Sequence, residues 1–318
     1  MLYIKDLSNG TLAKEVISNT SGNYVWANDG KNIYYVLNDP TVRAYKVMRH
    51  KLGSDPSGDE EIYTERDSTY RVGLSKSRNN RYIFIHSESN NITEASYLDA
   101  NNPEAKPIII QARTPNLEYS VDYYEGSVFH IRTNKNAKNF KLVTAPIANP
   151  GMANWKDVIP GSDRSYLENF TILKDYYLMQ AKENGLTQIK IFDRKNNKWK
   201  AVNFGEEDYV ASMYLATDDY ATDSIRYYFT SPATPGSEYK YNLKTGDKVL
   251  LKRQQVGGGF DPSLYQTKRI WSTSRDGVKV PVSIVYRKDK FKGDGSNPLF
   301  LFAYGSYGAN SDPFFNGS

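Results

Sequence analysis

Near the carboxyl end of the chain, an apolar run is followed directly by a loop of hydroxyl-bearing residues and glycines. The run covers residues 298–303, and its continuous hydrophobicity predicts a strand buried on both faces. The loop that follows is Tyr304-Gly305-Ser306-Tyr307-Gly308. Glycines let the backbone turn tightly at the end of a strand, and open α/β sheets bind ligands at the carboxyl ends of their strands. We therefore expect a functional site here, with phenol and hydroxyl groups as its hydrogen-bonding chemistry.

Other residues that could act as bases or metal ligands are placed in ways that favour structural roles. His50, His86 and His130 are the only histidines, and each falls within or at the end of a strand-like run. Imidazole can serve as a base or a ligand, but no Asp, Glu or His around them has a spacing that fits a metal site. An acidic loop also lacks the residue order of a calcium-binding loop, which favours a solvated loop. Its acids are Asp55, Asp59, Glu60 and Glu61. We therefore predict no metal and no cofactor.

The composition is globular, with an unusual share of aromatic residues. The chain has 318 residues, of which 39% are hydrophobic and 24% charged, enough for one large or two ordinary domains. Its 26 Tyr, 13 Phe and 4 Trp favour strands, because flat side chains with a polar tip suit half-buried pleated surfaces. The sequence therefore predicts a mainly β protein.

Charge and hydropathy argue against several classes of partner. The formal net charge is +5, but basic and acidic residues alternate along the chain, so nucleic-acid binding gains little support. No stretch approaches the roughly 20 apolar residues of a membrane span, and the first residues do not form a signal peptide. The absence of Cys suits a reducing compartment. We expect a cytoplasmic protein without nucleic-acid or membrane partners; the periplasm or secretion stays open if the natural N-terminus lies upstream.

Pairs of strand-like runs repeat along the chain to about residue 250. When their central aromatic residues are aligned, the steps between them are 50, 45, 48 and 50 residues. These aromatics are Tyr34, Phe84, Phe129, Tyr177 and Tyr227. A second run follows each of them after 11 to 14 residues, and turn residues such as those at 194–197 and 244–247 lie between runs. Five units with this period are typical of β-propeller blades.

A glycine-rich stretch and a hairpin follow the repeats. Residues 256–262 contain three consecutive glycines and predict a linker, because glycines weaken any regular element. Beyond it, residues 268–273 and 278–286 flank the turn-like Ser274-Arg275-Asp276-Gly277, and Asp-Gly between apolar runs is a strong hairpin signal. Pro281 cannot donate to a ladder and indicates an edge strand or a bulge.

Several of these segments together resemble the oligopeptidase B branch of the prolyl oligopeptidase family of serine peptidases. The resemblance is specific in the carboxyl-terminal part and looser along the repeats. The carboxyl-terminal segments are residues 268–271, 276–283 and 304–308; the upstream ones are residues 25–29, 33–36 and 138–140. The similarity covers nearly the whole chain.

The resemblance implies a mainly β fold, with a β-propeller that is seven-bladed in the family and incomplete here, followed by the first strands of an α/β-hydrolase domain. The propeller would occupy residues 1–255, with its N-terminal part missing because the chain opens within the strand-like run at 2–7. Residues 256–267 would be a linker, and residues 268–318 would be the first part of a truncated catalytic domain. The family cleaves short peptides with a Ser, Asp and His triad, its propeller limits substrate size, and this branch prefers to cleave after Lys or Arg.

The resemblance also assigns roles to two residues of this chain. Tyr304 matches the tyrosine whose phenol stabilises the oxyanion, and Asp312 matches an acid that receives basic substrate side chains. A second acid of the family, two positions later, is Phe314 here, which weakens the case for several basic subsites. The family's nucleophile lies in a Gly-x-Ser-x-Gly elbow, which this sequence does not contain. We therefore predict that the chain carries no triad residue, needs a missing C-terminal hydrolase domain and is inactive alone.

Two alternatives stay open. The first is a post-proline peptidase of the same family, against which the loop at 304–308 and Asp312 weigh. The second is a propeller that binds peptides or proteins without catalysis, as propellers commonly do. The oligomeric state and the preference between Lys and Arg do not follow from the sequence.

Overall fold

The structure is a computed structural model that describes residues 1–217, 219–306 and 309–317. It is mainly β, as the composition predicts, with about 49% of the residues in strands and 3% in helices. Within the described residues, the strands form five four-stranded and two two-stranded antiparallel sheets. The helices there are short 3₁₀ turns at Pro56–Gly58, Met152–Asn154 and Pro262–Leu264, and none could cross a membrane.

The chain divides into two compact units, and the first covers residues 1–162. It contains one two-stranded sheet, β1 (Leu2–Lys5) and β2 (Leu12–Ile17). Sheet 1 consists of β3 (Thr20–Trp26), β4 (Asn32–Asn38), β5 (Ala44–Lys51) and β6 (Glu60–Thr64). Sheet 2 consists of β7 (Arg71–Lys76), β8 (Tyr82–Glu88), β9 (Thr93–Asp99) and β10 (Ile108–Gln111). Sheet 3 consists of β11 (Tyr119–Asp122), β12 (Val128–Thr133), β13 (Lys141–Pro146) and β14 (Lys156–Ile159).

The second unit covers residues 163–318 and contains two four-stranded sheets and a hairpin. Sheet 4 consists of β15 (Ser165–Ile172), β16 (Tyr176–Glu183), β17 (Leu186–Asp193) and β18 (Lys198–Ala201). Sheet 5 consists of β19 (Val210–Tyr214), β20 (Ser224–Ser231), β21 (Thr234–Asn242) and β22 (Lys248–Arg253). The hairpin is β23 (Tyr265–Thr273) and β24 (Lys279–Arg287).

The five four-stranded sheets confirm the five predicted repeats. In each sheet the strands pair in chain order, and the two runs that the sequence marks become its second and third strands. The predicted turn residues act as expected. Gly246 and Asn197 have φ values of 83° and 53°, a left-handed conformation that glycine and asparagine adopt most easily.

Buried aromatic side chains from the second strands belong to the hydrophobic cores within each unit. Tyr34, Phe84, Phe129 and Tyr227 are at most 2% exposed. Tyr177 differs from these four, because it is half-buried and stacks on Phe192, with ring centroids 6.0 Å apart. Its neighbour Leu178 is fully buried instead. Side chains alternate between the two faces of a strand, so the aromatic at position 177 marks the opposite face of β16.

A buried carboxylate links sheets 1 and 2. Glu65, 3% exposed, follows β6 and accepts hydrogen bonds from the Ser87 hydroxyl on β8 (2.5 Å) and from the Tyr63 phenol (2.9 Å). Arg113, after β10, forms an ion pair with the same carboxylate and lies over the Tyr70 ring at 3.9 Å. Because a buried charge needs partners, the Glu65 carboxylate depends on these contacts between the two sheets.

The predicted hairpin at 268–286 is present. Its strands pair from Tyr265 with Arg287 to Thr273 with Lys279, and Pro281 lies in a strand that pairs with a single neighbour among the described residues. In the turn, Ser274 N donates to Val278 O at 2.9 Å. Of the Asp-Gly pair, only Gly277 adopts a positive φ, 84°. Asp276 instead accepts a hydrogen bond from Val278 N at 3.2 Å.

The predicted strand at 298–303 is not formed, and this prediction is wrong for the structure. Its four central residues are 71–89% exposed, and none of the described strands pairs with them. These residues are Leu299, Phe300, Leu301 and Phe302. A strand needs a neighbour for its N–H and C=O groups, and an apolar strand also needs covered faces. The described residues provide neither, so the run forms no strand and stays exposed.

Candidate functional site

The loop that carries Tyr304 is tied to the segment that carries Asp312. The Tyr304 N–H donates to the Ser311 hydroxyl at 2.8 Å, and the Ala309 N–H donates to Ser306 O at 3.0 Å. The Tyr304 side chain is 54% exposed. Its phenol is therefore accessible to a ligand. Two predicted loop residues, Tyr307 and Gly308, lie outside the described residues.

Asp312 is paired with a lysine of sheet 4. The Lys182 ammonium lies 2.9 Å and 3.3 Å from the two oxygens of the Asp312 carboxylate. The two side chains are 17% and 27% exposed, so the pair is at the surface but partly covered. The carboxylate thus pairs with a cation of the chain itself, and the substrate-binding role that the resemblance implies for Asp312 stays a prediction.

The residues after Asp312 are anchored on sheet 5 and on the segment before the hairpin. The Phe315 N–H donates to the Thr230 hydroxyl at 3.2 Å. The Phe315 ring meets Phe260 edge to face, with centroids 5.0 Å apart, and Phe260 stacks on Tyr265. These contacts fix the position of the Asp312 segment without using its carboxylate.

Arg269 connects the hairpin to sheets 4 and 5. Its guanidinium donates to the fully buried Asp208 carboxylate at 2.7 Å and to Asn184 O at 2.6 Å. Asn184 and Gly185 form the turn between β16 and β17. A Cβ at Gly185 would lie 2.6 Å from Arg269 Nη2, so a larger residue would displace the end of the arginine side chain.

We expect Gly185→Ala to destabilise the protein by about 1–3 kcal/mol, because the left-handed backbone becomes strained and the added methyl group displaces Arg269. The free energy of unfolding in urea would measure this. Gly126→Ala is the matched control, since Gly126 also has a positive φ, 81° against 76° for Gly185, but nothing within 4 Å of its Cβ position. Equal losses in the two variants would show that the arginine contact contributes nothing.

A cleft of about 430 Å³ lies between the hairpin and sheet 5. Glu206 and Glu207 line one side of it, and Tyr265, Gln266 and Lys288 line another. The Glu206 carboxylate accepts a hydrogen bond from the Thr234 hydroxyl at 2.6 Å. The Lys288 ammonium donates to Ser263 O at 2.7 Å. Glu206 is thus held by Thr234 of the cleft wall, and Lys288 is held by Ser263, next to the lining residue Pro262.

The histidines take structural positions. His50 is fully buried, and its Nδ1 lies 2.7 Å from an Asp59 oxygen. His86 Nε2 lies 2.7 Å from the Ser75 hydroxyl, a serine–histidine pair that invites comparison with a nucleophile and its base. However, burial lowers the pKa of His86 to about 4, and its buried Nδ1 has no hydrogen-bond partner among the described residues. A base needs a higher pKa and an orienting acid, so this pair is not suited to catalysis. No group of metal-ligating side chains occurs in the described part of the chain.

We expect His86→Gln to make the protein less sensitive to acid. A folded-state pKa near 4, below the ordinary 6.5, means that the neutral ring adds stability above pH 6.5, and this stability is lost as the pH falls towards 4. The variant should lose about 1–2 kcal/mol less of its unfolding free energy between pH 7 and pH 4.5. Urea unfolding at both pH values measures this. Ser75→Ala, which keeps the ring, should retain the wild-type pH dependence; an unchanged dependence in His86→Gln would contradict the expectation.

The sequence predicts roles for Tyr304 and Asp312 but not the ion pairs that Lys182 and Arg269 form. Lys182 lies 130 positions before Asp312, and Arg269 lies 61 positions after Asp208. Neither pair has a local sequence signal, because each forms only when separate strands come together. The dipeptide Asn184-Gly185 is a sequence signal for a turn, but it does not predict that Arg269 contacts this turn.

Comparison with known proteins shows the family to which the chain belongs. A family model described as the prolyl oligopeptidase, N-terminal beta-propeller domain matches residues 1–254. The chain is 36% identical to dipeptidyl aminopeptidase BI of Pseudoxanthomonas mexicana, over 99% of this chain and 43% of that protein. It is 32% identical to protease 2 of Moraxella lacunata, over 99% of this chain and 45% of that protein.

A solved structure from the same family is similar to the chain along nearly its whole length. Oligopeptidase B from Leishmania major superposes with a TM-score of 0.85 and 27% sequence identity, over 98% of this chain and 45% of that chain. The chain therefore spans less than half the length of the relatives it matches. Its five four-stranded sheets fall within the region that the family model covers. The chain belongs to the prolyl oligopeptidase family, and residues 1–254 match that family's N-terminal β-propeller domain.

Proposed function

We propose that the protein containing this chain is a serine peptidase that hydrolyses short peptides. The observation that carries this proposal is the match of residues 1–254 to the prolyl oligopeptidase propeller, together with the likeness of 98% of the chain to oligopeptidase B. The sheets at 1–255 would restrict the substrates that reach the catalytic site. Residues 256–267 would be the linker, and residues 268–318 would begin the catalytic domain.

The exposed apolar run supports the assignment of residues 268–318 to a catalytic domain. Leu299, Phe300, Leu301 and Phe302 are 71–89% exposed, and such a contiguous apolar segment marks a surface that another element covers. In an α/β-hydrolase sheet, neighbouring strands and helices would cover both faces of this run. We propose that the remaining part of the catalytic domain covers it.

In this proposal Tyr304 and Asp312 contribute to different steps. The Tyr304 phenol donates a hydrogen bond to the oxygen that becomes negative when the nucleophile attacks the peptide carbonyl. Asp312 binds a positively charged group of the substrate. The Ser, Asp and His of the triad lie outside this chain, whose sequence has no Gly-x-Ser-x-Gly elbow, so the chain alone does not hydrolyse peptides.

Cleavage after Lys or Arg within blocked peptides is our first candidate for the specificity. A second candidate follows from dipeptidyl aminopeptidase BI, which shares 36% of its aligned residues with this chain. An enzyme that removes dipeptides must bind the free α-ammonium of its substrate. A carboxylate such as Asp312 suits either an α-ammonium or a basic side chain, because both are cations that donate hydrogen bonds.

A substrate panel tests the proposal and separates these candidates. The full-length protein would be assayed with fluorogenic peptides: an amino-blocked Arg-Arg, an unblocked Gly-Arg and an amino-blocked Gly-Pro. Hydrolysis of the first indicates an endopeptidase that cleaves after basic residues, hydrolysis of the second alone a dipeptidyl aminopeptidase, and hydrolysis of the third a post-proline peptidase. No hydrolysis, and no labelling by a fluorophosphonate, would contradict the proposal and favour a binding-only propeller. Hydrolysis by residues 1–318 alone would contradict the placement of the triad.

A further inference from the structure

We propose that Lys182 is a built-in competitor for the cationic substrate group that Asp312 binds, and that it sets how strongly the peptidase prefers such a group. This inference rests on the proposed peptidase function. It adds a specificity-determining residue from sheet 4, outside the segment that resembles the catalytic domain. No sequence motif marks Lys182.

The geometry of the pair fits a competitor. The Lys182 ammonium contacts both carboxylate oxygens, at 2.9 Å and 3.3 Å, and therefore occupies the position that a substrate cation needs. Both side chains reach solvent, with 17% and 27% of their surface exposed. A lysine carries its charge on a flexible stem and can move away, whereas a substrate guanidinium can bind the two oxygens as a planar fork.

Asp312 would keep its position if Lys182 moved. The segment that follows it is held by the hydrogen bond from Phe315 N–H to the Thr230 hydroxyl, 3.2 Å, and by the packing of Phe315 on Phe260. The residue before it, Ser311, is bonded to the Tyr304 N–H at 2.8 Å. Removing the lysine charge therefore frees the carboxylate without freeing the segment.

The expected strength of this competition is modest. Partly exposed ion pairs typically change an equilibrium by up to about fivefold, and we expect the upper end here because the ammonium contacts both carboxylate oxygens. A substrate cation can overcome such a contact, while a neutral substrate gains nothing by displacing it. Lys182 should therefore weaken the discrimination between cationic and neutral substrates by about fivefold, without blocking the site.

The test uses the full-length protein and two amino-blocked peptides. They differ only in the residue immediately N-terminal to the one after which cleavage occurs, which is Arg in one peptide and Gln in the other. We expect Lys182→Met to raise the ratio of kcat/KM for the Arg peptide to that for the Gln peptide by about fivefold, mainly through KM. Asp312→Asn should lower this ratio, and adding Lys182→Met to it should cause no further change. Lys182→Arg, which retains a cation, should not raise the ratio. The matched control is Lys190→Met, which removes a lysine of the same sheet that pairs with Glu183.

A binding measurement separates failure of this inference from failure of the proposed function. Titration of argininamide into the chain of residues 1–318, followed by calorimetry, should show about fivefold tighter binding to Lys182→Met than to the wild type, and no such gain when Asp312→Asn is also present. If the full-length protein cleaves no peptide but this difference appears, the function is wrong and the competition is real. An unchanged ratio in an active enzyme, or an unchanged affinity with both variants folded by circular dichroism, would overturn the inference.

Discussion

Replacing Tyr304 by Phe in the full-length protein is expected to lower kcat by about 100- to 1,000-fold, with little change in KM. The phenol would donate its hydrogen bond to an oxygen that becomes negative only as the nucleophile attacks. An interaction made mainly in the transition state lowers kcat and kcat/KM together and leaves substrate binding nearly unchanged. Tyr304 is 54% exposed, so the described residues leave much of it uncovered.

Steady-state kinetics with the best peptide of the panel would measure this effect. Tyr286→Phe is the matched control. Tyr286 lies in the hairpin, its ring stacks on that of Phe291 with centroids 4.2 Å apart, and we assign its hydroxyl no role. The control should retain wild-type rates. If Tyr304→Phe lost less than about threefold in kcat, Tyr304 would keep only a packing role, whether or not the protein is a peptidase.

Replacing Arg113 by Met is expected to destabilise the first unit by about 2–3 kcal/mol, since Glu65 is buried but the arginine side chain is 31% exposed. The change leaves the Glu65 carboxylate, 3% exposed, without its cation. Three donors remain: the Ser87 hydroxyl, the Tyr63 phenol and the Asp67 N–H at 2.8 Å. A buried charge that has lost its opposite charge is costly even when hydrogen bonds remain, because the protein interior solvates it poorly.

Unfolding in urea would measure the loss. Arg287→Met is the matched control, since its ion pair with Asp289 has both side chains more than 40% exposed and should contribute less than about 1 kcal/mol. Adding Glu65→Gln to Arg113→Met should restore part of the stability, because it removes the unpaired charge. A loss in Arg113→Met no larger than in the control would show that the buried pair stabilises nothing.

The Glu65 carboxylate also predicts how the stability of the first unit changes with pH. Burial pushes the pKa of Glu65 up, but hydrogen bonds from Ser87, Asp67, Tyr63 and Arg113 outweigh it and hold the pKa below its ordinary value. The resulting stability is present above the pKa of the unfolded chain and is lost as the pH falls through the folded-state pKa. Without Arg113, one of these opposing contacts is lost and the folded-state pKa of Glu65 rises, so the loss should be smaller and should end at a higher pH.

The fold was predictable where the signal is local. Aromatic and β-branched runs at a period near 48 residues predict five repeats, and five four-stranded sheets are found in the described residues. The Asp-Gly pair predicts the hairpin, and Gly277 has the positive φ that its turn requires. Such features follow from backbone sterics and from the alternation of side chains along a strand, which neighbouring residues alone decide.

The prediction at 298–303 shows where local reasoning fails. A continuous apolar run indicates that a segment is stabilised when both its faces are covered. It does not show that covering elements are present. The alignment at Tyr177 fails for a related reason. An aromatic residue near the middle of a strand is a good marker of that strand, but the face it occupies depends on the packing of the whole sheet, and here Leu178 fills the core.

The sequence by itself determined the class of fold, the number of repeats and the segment that carries Tyr304 and Asp312. The tertiary structure decided which partners these residues have. Lys182 meets Asp312 across 130 positions, and Arg113 meets Glu65 across 48. A charged side chain finds its partner through the registers of several strands together, and since a shift of one residue turns a side chain to the opposite face, no local pattern can specify the pair.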